Sequence, residues 1–358
     1  MALSAVWFGV ICALWSAYFV TEGFDFGIGM LVPWLGRREA DRAAMFGAIG
    51  PVWDGNEVWL LVAGGATFAA FPQWYATMFS GFYVALLIVL VMLIVRVVSF
   101  EWRTKSDDPR WRGLWTWINV IASYGAPLVW GVGLSALLFG TPIDAHQEFA
   151  GSFWSLFSWY SLLGGGALVV LCAAHGAVFL SLRTATPALR TRALRAAGPL
   201  SVAAVVCGGT YLVATLAVGV ARNHQDVVRG VPVLVAGLVT AIAALVCIRL
   251  RRPAAAFFAT ALTIGLAVVL LFVELYPRVM VSSTNFADSL TVANSSSADY
   301  TMTVMTVVTA LLLPVVAVYQ VWIYRVFRVR VSGSGQKLTP ADVVAGGRGS
   351  DEDGPGGA

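Results

Sequence analysis

The chain has 358 residues, 59% of them hydrophobic and only 12% charged, with a formal net charge of +4. A soluble domain carries about 25% charged residues, so a soluble fold is excluded, and with it the nucleic-acid partner that a basic soluble chain would suggest. Apolar segments of about 20 residues, enough to span a bilayer, recur along most of the chain, and their Gly- and Ala-rich runs lack the strict alternation of a transmembrane β-barrel.

Nine spanning helices are predicted, at roughly 4–30, 50–71, 76–101, 113–140, 152–182, 196–220, 229–250, 254–277 and 299–327. No basic region precedes the first, so it reads as a retained helix rather than a signal peptide. It carries Glu22 and Asp25 near its far end. Its FDFGIGM run has no preceding strand, which removes a nucleotide-loop reading. The second helix opens with GPVWDGNEVW, where Asp54 and Glu57 stand three residues apart and share a helix face. On insertion scales an Asp at mid-membrane costs about 2.5–3.5 kcal/mol, so acids here point to charge or proton traffic. The third helix ends with Arg96 and Glu101, and His175 lies in CAAHGAV in the fifth. Glu274, before LYPR at the end of the eighth, is expected to be solvated at the helix end. The following loop, 278–298, is Ser- and Asn-rich and reads as surface-lying. The chain thus divides into a transmembrane domain, 1–330, and a polar, Gly-rich tail, 331–358, expected to be disordered.

Basic residues fix the expected orientation. Arg37, Arg38 and Arg42 follow the first helix, and Arg103, Lys105, Arg110 and Arg112 follow the third. Arg183, Arg190, Arg192 and Arg195 follow the fifth, Arg249, Arg251 and Arg252 the seventh, and Arg325, Arg328, Arg330 and Lys337 the ninth. The intervening loops hold only Arg222, Arg229 and Arg278. The positive-inside rule places the N-terminus outside and the C-terminus in the cytoplasm. The expected fold class is therefore an all-α polytopic membrane protein of nine transmembrane helices.

This topology gathers Glu22, Asp25, Asp54, Glu57, Arg96, Glu101 and His175 toward the cytoplasmic side. Carboxyl groups withdrawn from water and close to one another can take up and pass on protons, with Trp53, Asn56 and Trp59 as a bulky, donor-rich surround. The plainer alternative is that Arg96 neutralises one acid and the others face water. His175 is open to three roles: haem ligand, proton relay or packing residue. Histidine is otherwise scarce, with only His146 and His224 in outward loops, too few ligands for a chain holding several haems. Met78, Met92, Met302 and Met305 read as core filling, and Cys12, Cys172, Cys207 and Cys247 as small buried hydrophobes; no metal-type Cys/His spacing occurs. A proton-coupled transporter would also need buried acids, but would place them near the midplane, often in repeated halves. No repeat is visible.

The blocks EGFDFGIGML (22–31), GPVWDGNEVWLLVAGGATFAAFPQWYATMFSGFY (50–83), RVVSFEWRTK (96–105), HGAVFLSLRT (175–184), YPRVMVSSTNFADSLTVANSSS (276–297) and PVVAVYQVWIYRVF (314–327) resemble subunit II of the bacterial cytochrome bd-type quinol oxidases. The resemblance implies a partner without haem ligands of its own, in a heterodimer with subunit I, which carries haem b, haem d and the quinol site. The complex would sit in the bacterial cytoplasmic membrane, among lipids and with room for small accessory subunits. It would oxidise quinol and reduce dioxygen to water with protons from the cytoplasm. The resemblance further implies that Trp53 and Asp54 lie on the proton uptake path and Trp59 near a dioxygen route. The resemblance leaves position 57 open to Gln, which would make the acidity of Glu57 dispensable. A structural quinone bound to this subunit is also implied.

Overall fold

The computed structural model describes residues 2–326; the expected tail, 331–358, lies outside them. Among the described residues the fold is all-α, with eleven helices and one two-stranded ribbon. The chain starts with α1 (Ala2–Leu35), α2 (Glu39–Ile49), α3 (Trp53–Ala70), α4 (Pro72–Gly81), α5 (Tyr83–Trp102) and α6 (Pro109–Phe139). It continues through α7 (Trp159–Arg183), α8 (Pro187–Asn223), α9 (Val227–Arg249) and α10 (Pro253–Leu275). The ribbon, β1 (Arg278–Met280) and β2 (Leu290–Thr291), precedes the last helix, α11 (Asp299–Val326).

Eight of these helices (α1 and α5 to α11) are long and apolar enough to cross a membrane. The polar opening of α3, with Asp54, Asn56 and Glu57 in 18 residues, keeps that helix outside the set, although it packs against α1 along Asn56, Ala63, Thr67 and Ala70.

Helix ends follow their local chemistry. Asp108 caps α6 by accepting from the Arg110 amide at 2.9 Å, with Pro109 in the first turn where its missing N–H costs nothing. Ser158 and Ser161 form a capping box at the start of α7, and Asp226 caps α9. Pro72 sits in the first turn of α4, so α3 ends at Phe71 as expected, whereas the expected third helix, 76–101, is divided at Phe82 into α4 and α5.

Four basic segments meet at one end of the bundle. There α2, not distinguished in the sequence, lies with Asp41, Ala44, Met45, Ala48 and Ile49 buried, an amphipathic spacing. Its acids bind the basic loops: Arg103 donates to Glu39 at 2.5 and 2.7 Å, and Arg192 pairs with Asp41 at 2.7 Å. At the opposite end the 278–298 segment does not lie on the surface as expected. Val279, Met280, Val281 and Leu290 are buried. The segment bonds to the end of α6 and the next loop through Val281 to Leu137 and Ser283 to Thr141, each at 2.9 Å. Its buried apolar residues, the run 279–281 and Leu290, are set among the Ser and Thr that mark its composition. Cys12 and Cys172 are buried as expected, whereas Cys207 and Cys247 are only partly so.

The core is tightest where α1 crosses α7. A Cβ on Gly176 would fall 2.6 Å from the Cα of Gly27, and one on Gly27 would overlap the Cys172 carbonyl. The FDFGIG glycines therefore serve close backbone approach, the usual device for packing helices in lipid. By contrast α11 lies almost entirely on the outside of the bundle. A cleft of about 440 Å³ separates it from α1 along Val6, Val10, Ala310 and Leu313.

Candidate functional site

A buried polar cluster forms at the basic end where α1, α3, α5 and α6 meet. Glu22 and Asp25 stand three positions apart on α1, both fully buried. Arg96 of α5 reaches into the same space and forms an ion pair with Glu22 and a second, at 2.9 Å, with Glu57. The guanidinium also lies 4.6 Å from the centre of the Phe26 ring. Asn119 of α6 supports this turn of α5, donating to Ser99 Oγ at 2.9 Å and to the Arg96 carbonyl at 3.4 Å. One cation thus holds two acids from two other helices. Burial makes the arrangement intolerant of losing a single member.

Asp25 is served differently. Asn56 Nδ2 donates to Asp25 Oδ2 at 2.7 Å and to the Thr21 carbonyl at 3.2 Å. The Asn56 Oδ1 in turn accepts from the Tyr324 hydroxyl at 2.6 Å. Tyr324 comes from α11, whose Gln320 also donates to the Gly55 carbonyl at 2.8 Å. A chain of hydrogen bonds therefore runs from the last helix through the start of α3 to an acid on α1. In the sequence Asn56 stands out only by its place between Asp54 and Glu57, and Tyr324 only as part of the YQVWIYRVF block. Nothing local shows that they meet.

The remaining expected site residues are placed less centrally. Asp54 is exposed at the head of α3, on the same side as Val58, Leu61 and Phe68. Asp54 and Glu57 therefore diverge, one outward and one toward Arg96, although three-residue spacing suggested a common face. Trp53 is half-buried, its ring 6.3 Å from that of Phe100. Trp59 is partly buried against the core. Glu101 is exposed and outside the cluster.

His175 is fully buried but on the far side of α1, behind Gly23. Its Nε2 lies 3.2 Å from the Val20 carbonyl and its Nδ1 2.6 Å from Thr260 Oγ1. The Thr260 hydroxyl also donates to the Phe257 carbonyl at 2.9 Å, so the ring sits in a closed polar contact between α1 and α10. The ring stacks on Phe257 at 4.6 Å. Each ring nitrogen lies within hydrogen-bonding distance of a protein oxygen. His146 and His224 are exposed in loops at the opposite end. No group of three His, Cys, Asp or Glu side chains suited to a metal ion occurs among the described residues.

Beside the cluster, α3, α4 and α5 enclose an apolar cleft of about 500 Å³ lined by Trp15, Leu60, Phe68, Tyr75, Phe79 and Trp130 among others. It opens on the side where Leu61, Phe68, Leu87 and Leu90 are exposed.

The family model for cytochrome bd terminal oxidase subunit II matches residues 3–327. The chain belongs to that family. Among similar proteins, subunit 2 of the cytochrome bd ubiquinol oxidase of Bacillus subtilis is 41% identical over 337 residues, covering 92% of this chain and 97% of the relative. Subunit 2 of the cytochrome bd-I ubiquinol oxidase of Escherichia coli K12 is 35% identical over 353 residues, covering 90% and 93%. A solved chain of the bd oxidase from Geobacillus thermodenitrificans shares the fold at a TM-score of 0.64 and 17% identity, over 90% of this chain and 98% of that one.

Proposed function

We propose that this chain is the haem-free subunit II of a bacterial quinol:dioxygen oxidoreductase, and that its cluster at the basic end carries protons from the cytoplasm toward haems held by subunit I. The observation that supports this reading most is the linked set Tyr324–Asn56–Asp25 and Glu22–Arg96–Glu57, with Asp54 exposed beside it. Buried acids joined to amide and hydroxyl groups can exchange protons. In this reading α3 is the ninth crossing, the N-terminus lies outside and the basic end is cytoplasmic, consistent with the charge asymmetry of the loops. Haem b and haem d on subunit I supply electron transfer and dioxygen reduction; the engaged His175 fits that division. The exposed apolar side of α3, α5 and α11 is where subunit I would pack, with lipids and small accessory subunits on the rest of the belt. The apolar cleft beside it would suit the isoprenoid tail of a structural quinone, and Trp59 is assigned to the edge of a dioxygen route.

Asp54→Asn tests the reading. Oxygen consumption with quinol should slow by roughly tenfold or more, within the range of a positioned proton-transfer group, while haem content stays at the wild-type level. Unchanged turnover would remove the proton role, and complete loss of haem would favour a purely structural role in assembly. His175→Ala should leave the haem absorption spectrum of the complex intact; a missing haem band would restore His175 as a ligand.

A further inference from the structure

At the end of the bundle away from the cluster, Glu274 in the last turn of α10 is fully buried. Neither carboxyl oxygen has a hydrogen-bond partner among the described residues. The expected helix-end exposure is therefore wrong, because α8 and α9 close over it. Gly219 on α8 and Gly230 on α9 make the room: a Cβ on either would overlap a carboxyl oxygen of Glu274. The seam between three helices is shaped around this side chain.

No ion pair joins Glu274 to a cation among the described residues. Arg278 donates to Asn223 Oδ1 at 3.2 Å and lies 3.7 Å from the centre of the Phe286 ring. Arg222 lies 4.5 Å from the centre of the Phe139 ring. Asn223 Nδ2 holds only the backbone of α10, donating to the carbonyls of Glu274 and Leu275 at 2.7 and 2.8 Å. The titratable groups on the inner side are Tyr160 of α7 and Tyr211 of α8. They belong to a polar stripe: Tyr211, Thr215, Gly219 and Asn223 recur every four residues along one face of α8. The Tyr160 hydroxyl is 3.0 Å from Thr215 Oγ1, and the Tyr211 hydroxyl is 3.0 Å from Ser135 Oγ.

A carboxylate in such a place would be a buried charge without cation or donor, a cost of several kcal/mol. A neutral acid avoids it. We propose that Glu274 is a proton-binding site, a neutral carboxylic acid wedged into the glycine-lined seam of α8, α9 and α10 at the head of this hydroxyl stripe. Its proton is bound in the folded protein and released on unfolding at neutral pH. Stability from this site is therefore fullest below the pH at which an unfolded glutamate ionises, and it falls as pH rises from there through neutral.

Infrared spectroscopy of the purified oxidase complex, wild type against Glu274→Gln, tests the assignment. At neutral pH the wild type should show the carbonyl band of a neutral carboxylic acid that the variant lacks. The variant, which does not titrate at this position, should lose less stability than wild type as pH rises from acid to neutral. A carbonyl region identical in the two proteins would overturn the proposal, since Glu274 would then be ionised and paired. If the glutamine variant fails to assemble, Glu274→Met, neutral and of similar length, provides the comparison; a band retained in it would overturn the proposal equally.

Discussion

Arg96→Met should stop the complex from accumulating, or leave it melting far below wild type in size-exclusion thermal assays. Arg96 is about 1% exposed and faces Glu22, which is fully buried, as well as Glu57. Removing the guanidinium leaves an uncompensated acid at a site closed to water. Breaking a buried pair from one side costs about 3–5 kcal/mol, a large share of the roughly 5–15 kcal/mol that holds a typical domain. The Phe26 contact is lost as well. Arg96→Lys keeps the charge but not the planar fork that spans two carboxylates, so it should fall between the two. Adding Glu22→Gln to Arg96→Met should recover part of the loss, because the pair is then removed from both sides. An Arg96→Met complex with wild-type melting and yield would show that the ion pair carries no weight.

Gly176→Val should be nearly as damaging, by a different route. At the α1–α7 crossing even a single Cβ would fall within 2.6 Å of the Gly27 backbone, and valine adds two methyl groups to it. The helices must separate. Overpacking costs typically about 1–3 kcal/mol, and here the neighbour that must move is backbone rather than a flexible side chain. The displacement also acts on function, since α1 carries Glu22 and Asp25 on the turns just before Gly27. Turnover per assembled complex should therefore fall along with stability, whereas Gly166→Ala, where an added Cβ meets nothing within 4 Å, should change neither. Equal melting temperatures for the two variants, with equal oxygen consumption, would dismiss the crossing as a constraint.

Much of this was legible in the sequence, and the limits have physical causes. Apolar segment lengths and loop charges gave the helices, and the cost of acids in lipid singled out Glu22, Asp25, Asp54 and Glu57. The partners were not legible. Arg96 meets Glu22 across 74 positions, and Tyr324 meets Asn56 across 268; spacing within one helix says nothing about which helix lies opposite. The same limit hid α2, whose acids gain meaning only from Arg103 and Arg192. Glu274 was misplaced because proximity to a helix end suggests water, while Gly219 and Gly230, which exclude it, lie on other helices. The resemblance of whole blocks named the family before any of these contacts was visible, which is why function was clearer than geometry.

The sparse attachment of α11 has an energetic consequence. In lipid no hydrophobic force presses a helix onto its neighbours, and the cleft against α1 removes much of the packing that could replace it. What holds the helix is chiefly Trp7 to Thr306 at one end and Gln320 to Gly55 with Tyr324 to Asn56 at the other. Such bonds average about 0.6 kcal/mol each, so roughly 2 kcal/mol together. The clasp that completes the Asp25 hydrogen bonds is therefore the least secure joint in the bundle, and a partner lying across α3 and α11 would be what fastens it.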